Sequence, residues 1–201
     1  MKNQTSSSNF VHALGTLPIN THNGKYSCYV EILDRIASQL QAMLSYHSRV
    51  TVIRFDLHLY RSFSDNTEVS KLMVKIKKRL KAKYGSTRLG YIWVRELEKA
   101  KKHHYHIVLF VNGNMLQHPS NLLAWIERRW TARGHPKPYI PSHCYYVIER
   151  KTNENLDLAF YRLSYLAKVR GKGKLNRDNS VNDYSGSRLK LRGKSIDNSS
   201  S

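Results

Sequence analysis

The chain has 201 residues, and its 34 lysines and arginines against 14 aspartates and glutamates give a formal net charge of +20. This charge predicts a polyanionic partner, nucleic acid first and an anionic membrane surface second. The length predicts one domain with a substantial core, and the two cysteines are too few for a disulfide framework. The sequence lacks a signal peptide and any apolar run long enough to span a bilayer, which predicts a cytoplasmic protein.

The first half of the chain alternates between helical and strand-like patterns. Residues 1–24 are polar and rich in turn-forming residues, which predicts a flexible N-terminal segment. Apolar residues at helical spacing predict a helix over 29–46, and strict alternation predicts a strand over 50–60. Residues 68–83 carry many lysines around a narrow apolar stripe, which predicts a basic amphipathic helix.

The second half contains three more predicted strands and two more helices. The strands are predicted at 90–96, 104–111 and 144–149, and a helix opens near Pro119 between the last two. Apolar residues recur at helical spacing over 156–169, which predicts a final helix.

The order of these elements predicts an α+β fold, with one domain over residues 25–170. A β-α-β-β-α-β-α series preceded by a helix fits the split βαβ or ferredoxin-like arrangement. That arrangement predicts an antiparallel sheet with helices on one face, plus an N-terminal helix, and leaves the other face open for DNA. Residues 171–201 are basic and poor in apolar residues, which predicts a flexible tail that contacts phosphates or is simply solvated.

A pair of histidines, His104 and His106, starts the strand predicted at 104–111. Side chains two apart in a strand point to the same face, so the two imidazoles project together. Glu96 ends the preceding strand eight residues earlier, and a hairpin would bring its carboxylate beside them. Two nitrogens and one hard oxygen suit Mn²⁺ or Mg²⁺ and leave positions open for substrate oxygens. Taken alone, however, an H-x-H on a strand is more often structural than metal-binding.

Two tyrosines and a lysine form a separate stripe on the final predicted helix. Tyr161, Tyr165 and Lys168 are spaced four and three residues apart, so they are neighbours on the helix surface. This stripe lies about 150° from the apolar one and does not belong to the same core face. Tyrosine is a weak nucleophile that needs an activated phosphorus and a cation beside its phenolate. Without the histidine pair, two tyrosines packed against a neighbouring element would be the simpler interpretation.

These motifs together resemble those of the HUH endonuclease superfamily, the metal-dependent single-strand nickases that include rolling-circle replication initiators. His104-Tyr105-His106 is similar to the His-hydrophobe-His motif, and Tyr165-Leu-Ala-Lys168 is similar to the Tyr-x-x-Lys motif. Tyr161 gives the paired tyrosines of phage-type initiators. With Trp-Val-Arg-Glu at 93–96, the chain most resembles the prophage-encoded, inovirus-like replication proteins of the YagK/YfjJ type, over about residues 25 to 192.

The resemblance implies an enzyme that nicks and rejoins single-stranded DNA to start rolling-circle replication of a phage or prophage element in a bacterial cytoplasm. It implies a Mg²⁺ or Mn²⁺ ion held by His104, His106 and Glu96. It also implies attack by Tyr165 or Tyr161, helped by Lys168, to give a 5′-phosphotyrosine. The implied partners are single-stranded or extruded origin DNA with a host helicase and polymerase, and no membrane.

Several further side chains are predicted to contact the DNA, although each is equally well explained as a solvated surface group. His58 has an additional possible role, since it competes with Glu96 as the third metal donor. The predicted DNA contacts are Arg54, His58, Arg95, Lys75, Lys78, Arg170 and Lys172.

Three other functions stay open from the sequence. A DNA-binding regulator on a degenerate HUH scaffold would bind without cutting, and a related transposase or relaxase would use the same site. An RNA-binding module of the RRM type needs exposed aromatic residues on central strands, for which Tyr91, Trp93 and Tyr105 are candidates. The Gly-Phe-Gly/Ala-Phe signature of that module is absent from the sequence.

Overall fold

A computed structural model describes residues 3–61, 65–85, 88–97, 103–169 and 182–193. The helices in these ranges are α1 Val30–Tyr46, α2 Thr67–Tyr84, α3 Ser120–Thr131 and α4 Leu156–Leu163. The strands are β1 Gln4–Thr5, β2 Asn9–His12, β3 Gly15–Pro18, β4 Cys28–Tyr29, β5 Arg49–His58, β6 Gly90–Leu97, β7 His103–Asn112, β8 Tyr145–Glu149 and β9 Tyr184–Gly186. Within the described ranges, no helix has both the length and the apolar composition needed to cross a bilayer.

A five-stranded antiparallel sheet forms the centre of the fold, with the strand order β8-β5-β7-β6-β9. The long strands β5 and β7 are rich in β-branched and aromatic residues, which favours extended backbone. Helix α2 follows β5 and precedes β6, and β7 lies between those two strands, so these elements form a split β-α-β unit. The predicted α+β class and antiparallel sheet are confirmed.

Helices cover both faces of the sheet. Buried residues of α2 and α3 pack with Phe55 and Ile107 on one face, whereas those of α1 and α4 pack with Val52 and Val108 on the other. The prediction that the helices lie on one face was therefore wrong. The physical reason is that β5 and β7 are buried on both sides over most of their length, so each face needs a cover that removes it from water.

The N-terminal segment is part of the fold. Strands β2 and β3 form a hairpin, and its residue Leu17 is buried in the core shared with α1 and α4. The Phe10 ring stacks on Phe160 of α4, with ring centroids 6.2 Å apart. The prediction of a flexible segment over 1–24 was wrong for residues 3–24, because the apolar side chains of the hairpin pack against α4.

Part of the predicted C-terminal tail also belongs to the sheet. Strand β9 pairs with β6, and the Ser187 hydroxyl donates a hydrogen bond of 2.6 Å to the Gln39 side chain of α1. A Cβ on Gly186 would lie 2.7 Å from the Tyr91 carbonyl oxygen, so a glycine is needed for this close approach to β6. The prediction of a flexible tail over 171–201 was therefore wrong for residues 182–193.

Candidate metal centre and tyrosine site

Three neighbouring strands bring the predicted metal donors together. Pairing between β6 and β7 sets Glu96 opposite His104, and pairing between β5 and β7 sets Asp56 opposite His106. Residues directly opposite in a sheet point to the same face, and so do residues two apart along a strand. The four side chains therefore share one face, the one that α1 and α4 cover further along the same strands.

The donor atoms of Glu96, His104 and His106, the metal cluster, face one another. Glu96 Oε2 lies 3.3 Å from His106 Nε2 and 3.5 Å from His104 Nε2, and the two nitrogens are 3.2 Å apart. Two ligands at right angles on an ion with bonds of about 2.1 Å would be separated by about 3 Å, close to these distances. The side chains are largely buried, with exposures of 6 to 13%. The metal cluster could therefore bind a metal ion.

Asp56 orients His106, a role that the sequence analysis missed. Asp56 Oδ1 lies 2.8 Å from His106 Nδ1, and its charge favours a proton on Nδ1, the tautomer in which Nε2 is the atom available to a metal ion. Burial lowers the pKa of His106, but the Asp56 and Glu96 carboxylates outweigh this effect and raise that pKa above its ordinary value. The available signal was the alternation of β5, which sets Asp56 on the face of Arg54 and His58.

His58 lies beside the metal cluster. Its imidazole stacks on that of His104, with ring centroids 5.5 Å apart and an angle of 23° between the planes. Within the part of the chain that the structure describes, the group of possible metal donors contains Glu96 and not His58. Of the two alternatives for the third donor, the geometry favours Glu96.

The Tyr165 ring lies against the metal cluster. Helix α4 ends at Leu163, earlier than predicted, and Ser164–Ala167 continue as a 3-10 helix. The Tyr165 ring is edge-on to the His106 imidazole, with centroids 5.6 Å apart, and 37% of the residue is exposed. Leu163 and Leu166 are buried in the core with α1, whereas the Tyr165 ring faces the strand residue His106.

Two cations flank the Tyr165 ring. Lys168 Nζ lies 4.4 Å from the ring centroid, and the guanidinium carbon of Arg54 lies 4.8 Å from it. Burial lowers the pKa of the Lys168 ammonium, against an opposing effect of Cys28 and Tyr26. Cations at these positions would stabilise a phenolate on Tyr165. Arg54, predicted as a DNA contact, is thus placed beside the predicted nucleophile.

Tyr161 does not share this environment. Its ring is 42% exposed and lines a groove with residues of the N-terminal segment. Among the described residues, the structure gives its side chain no ring contact or ion pair with the metal cluster. The structure therefore brings Tyr165, and not Tyr161, to the predicted metal donors.

The remaining predicted DNA contacts are spread over the molecule. Arg95 is 5% exposed and points to the face of the sheet opposite the metal cluster. Lys75 and Lys78 are exposed on α2, which packs on that same opposite face. Arg170 and Lys172 lie outside the described residues. DNA contact by these side chains stays a prediction.

Two of the three aromatic residues that an RRM-type surface would need are not available for stacking. Trp93 is 4% exposed and Tyr105 is 1% exposed, and both lie in the core beneath α2 and α3. Tyr91 packs against the same core. Since bases cannot reach the buried rings of Trp93 and Tyr105, the structure removes two of the three stacking candidates on which the RRM interpretation depends.

Comparison with known proteins places this fold in a family. The YagK/YfjJ C-terminal domain family matches residues 15–181. Two uncharacterized proteins of Escherichia coli K12 are similar to the chain: YagK is 24% identical over 193 residues, covering 77% of this chain and 92% of YagK. YfjJ is 25% identical over 194 residues, covering 76% of this chain and 93% of YfjJ. No solved structure matches. Because the family match extends over most of the sequence, the chain belongs to the YagK/YfjJ C-terminal domain family.

Proposed function

We propose that this protein is a metal-dependent endonuclease that nicks single-stranded DNA and retains the cut end as a 5′-phosphotyrosine on Tyr165. The observation that supports this most directly is the contact between the Tyr165 ring and His106, a member of the metal cluster. A metal cluster alone would fit many hydrolases. A partly exposed tyrosine flanked by two cations fits transfer of a phosphoryl group to the protein.

The metal cluster suits a hard divalent ion, and we infer Mg²⁺ or Mn²⁺. Glu96 supplies a carboxylate oxygen and the two histidines supply imidazole nitrogens, a small donor set that leaves coordination positions for substrate oxygens. When bound, the ion would polarise the scissile phosphate. The Asp56 carboxylate, 2.8 Å from His106 Nδ1, favours the tautomer in which Nε2 would be free to bind the ion.

The residues around Tyr165 carry the transfer step. The tyrosine oxygen attacks phosphorus, a P–O bond to Tyr165 forms, and the bond to the 3′ oxygen breaks to give a 3′-hydroxyl. Tyrosine attacks as its phenolate, so the hydroxyl proton of Tyr165 leaves to solvent, and Lys168 and Arg54 stabilise the resulting negative charge. The leaving 3′ oxygen takes up a proton from solvent. Because the phosphoester is conserved, the 3′-hydroxyl can later attack the phosphotyrosine and reseal the strand.

We place this activity at the initiation of rolling-circle replication of a phage or prophage element. Such initiation needs a free 3′-hydroxyl for a host polymerase, a helicase to open the duplex and a 5′ end that is kept for rejoining. The resemblance of the His104-Tyr105-His106 and Tyr165-Leu-Ala-Lys168 motifs to HUH initiators supports this role, as does the net charge of +20.

The test is formation of a covalent protein–DNA adduct. The chain is incubated with Mn²⁺ and a pool of single-stranded DNA that includes its own genomic locus, and the products are boiled in detergent and separated by size. We expect an adduct that disappears with chelator, with Tyr165→Phe and with the His104→Ala/His106→Ala double variant. Tyr84→Phe, at the last residue of α2 on the opposite face of the sheet, is the matched control and should retain the adduct. An equal yield from Tyr165→Phe would refute the proposal.

A further inference from the structure

A polar groove runs beside α4, the helix that carries Tyr161. It has a volume of about 570 Å³ and lies between the N-terminal segment and α4, a size that suits a small organic group. Its lining includes small hydroxyl and amide side chains, which donate and accept hydrogen bonds, and one exposed aromatic ring. These residues are Ser6, Ser8, Asn9, Thr21, Asn23 and Tyr161.

The chemistry of this groove suits an uncharged ligand. Among the described residues that line it there is no lysine, arginine, aspartate or glutamate, although the chain carries 34 lysines and arginines. A second groove along α2, by contrast, is lined by Lys71, Lys75 and Lys78. Phosphates are bound by cations of that kind, whereas hydrogen-bonding side chains beside an aromatic ring match a nucleobase with its polar edge and flat face.

A row of ring and cation contacts joins the groove to Tyr165. His22, which lines the groove, has its ring centroid 5.7 Å from that of Tyr26. Lys168 Nζ lies 4.8 Å from the Tyr26 ring and 4.4 Å from the Tyr165 ring. Alternating rings and cations are the surface on which single-stranded DNA lies, with bases stacked on the rings and the backbone near the charge.

The groove is fixed to the segment that carries Tyr165. The buried Ser164 hydroxyl donates a hydrogen bond to the Tyr161 carbonyl and accepts one from the Asn20 backbone N–H, each at 2.8 Å. Ser164 is the first residue of the 3-10 helix, directly before Tyr165. The N-terminal wall of the groove and the predicted nucleophile are therefore tied to the same residue.

We propose that this groove binds one unpaired base of the DNA strand, close to the phosphate that Tyr165 attacks, with Tyr161 as its stacking surface. The inference rests on the proposed function for the identity of the substrate. It gives Tyr161 a role in binding and sequence selection, in place of the second-nucleophile role that the family resemblance implies. Hydrogen bonds from the serine and asparagine side chains would select among the bases.

The test measures binding apart from chemistry. Affinity for a random-sequence pool of single-stranded DNA is measured by fluorescence anisotropy in chelator, and the retained DNA is sequenced to find the base preference. Removing one base–ring stacking contact should weaken binding between about 5-fold and about 150-fold, so we expect Tyr161→Leu to lose affinity and base preference together. Tyr161→Phe keeps the ring and should restore both. Leu158→Ala, at an exposed position of the same helix, is the matched control.

The outcomes separate this inference from the proposed function. Wild-type affinity and base preference in Tyr161→Leu would overturn the groove assignment, whether or not the wild-type chain forms an adduct. A Tyr161→Phe variant that binds normally but fails to rejoin the nicked strand would overturn the claim that Tyr161 acts in binding in place of chemistry, since that result assigns its hydroxyl a nucleophilic role. Loss of base preference in Tyr161→Leu, without any adduct from the wild-type chain, would refute nicking and leave the groove as a base-binding site.

Discussion

Replacing Asp56 with asparagine tests whether the carboxylate behind His106 sets the properties of the metal cluster. The change keeps size and shape but removes the negative charge 2.8 Å from His106 Nδ1. The lone pair on Nε2 then becomes less basic, and the imidazole is no longer held in one tautomer by charge. Loss of such a partner lowers metal affinity by about 10-fold to 100-fold, which corresponds to about 1.4 to 2.7 kcal/mol of binding free energy.

The assay is calorimetric titration of the folded protein with Mn²⁺. Asp157→Asn makes the same chemical change at an exposed position of α4 and should bind Mn²⁺ like the wild-type chain. Asp56 is buried, and its Oδ2 lies 3.7 Å from a guanidinium nitrogen of Arg54, so the substitution also removes an ion pair. Circular dichroism and the midpoint of thermal unfolding therefore check that the Asp56→Asn variant is folded. A folded Asp56→Asn variant with wild-type Mn²⁺ affinity would refute the orienting role.

Two further predictions concern pH and stability. Protons compete with the metal for His106, and the pKa of this imidazole is raised. As the pH is lowered, the affinity for Mn²⁺ should therefore begin to fall before the pH reaches the ordinary pKa of an imidazole. Mn²⁺ titrations across neutral and mildly acidic pH test this, and a constant affinity over that range would contradict it. Hydrogen bonds from Arg133 lower the pKa of Glu68 to about 2, so their stabilisation is complete above the ordinary carboxyl pKa and is lost as the pH falls toward 2. Because the Arg133 side chain is 38% exposed, solvent screens the pair, and Glu68→Gln should lower the free energy of unfolding by about 0.5 to 1 kcal/mol at neutral pH in urea titrations; an unchanged midpoint would contradict this.

The parts of the site that are predictable from sequence are those that depend on local periodicity. Strand alternation places His104 and His106 on one face, and a short hairpin connection brings Glu96 beside them, so three donors follow from one stretch of chain. The family match to residues 15–181 confirms the resemblance to the YagK/YfjJ type, whereas membership of the HUH superfamily stays a prediction. Helix periodicity likewise predicts that Tyr165 lies off the apolar stripe of the last helix.

The parts that were missed depend on contacts between distant segments. Asp56 meets His106 only because β5 pairs with β7, and alternation within one strand does not reveal its neighbour. The change from α-helix to 3-10 helix at Ser164 coincides with a hydrogen bond from Asn20, far away in the sequence. Tyr161 and Tyr165 therefore lie on either side of this change of helix type and in different environments, whereas helical spacing alone predicts a shared one.

The central claim is that Tyr165 forms a covalent bond with DNA. The most direct measurement is mass spectrometry of the proteolysed adduct formed with Mn²⁺ and single-stranded DNA, with fragmentation to locate the attached nucleotide. The expected result is a nucleotide joined through its 5′ phosphate to the peptide that contains Tyr165, absent when chelator is added. A nucleotide on another residue, or tight DNA binding with no adduct from DNA of the native locus, would contradict the claim, and the second result would indicate a regulator that binds DNA without cutting it.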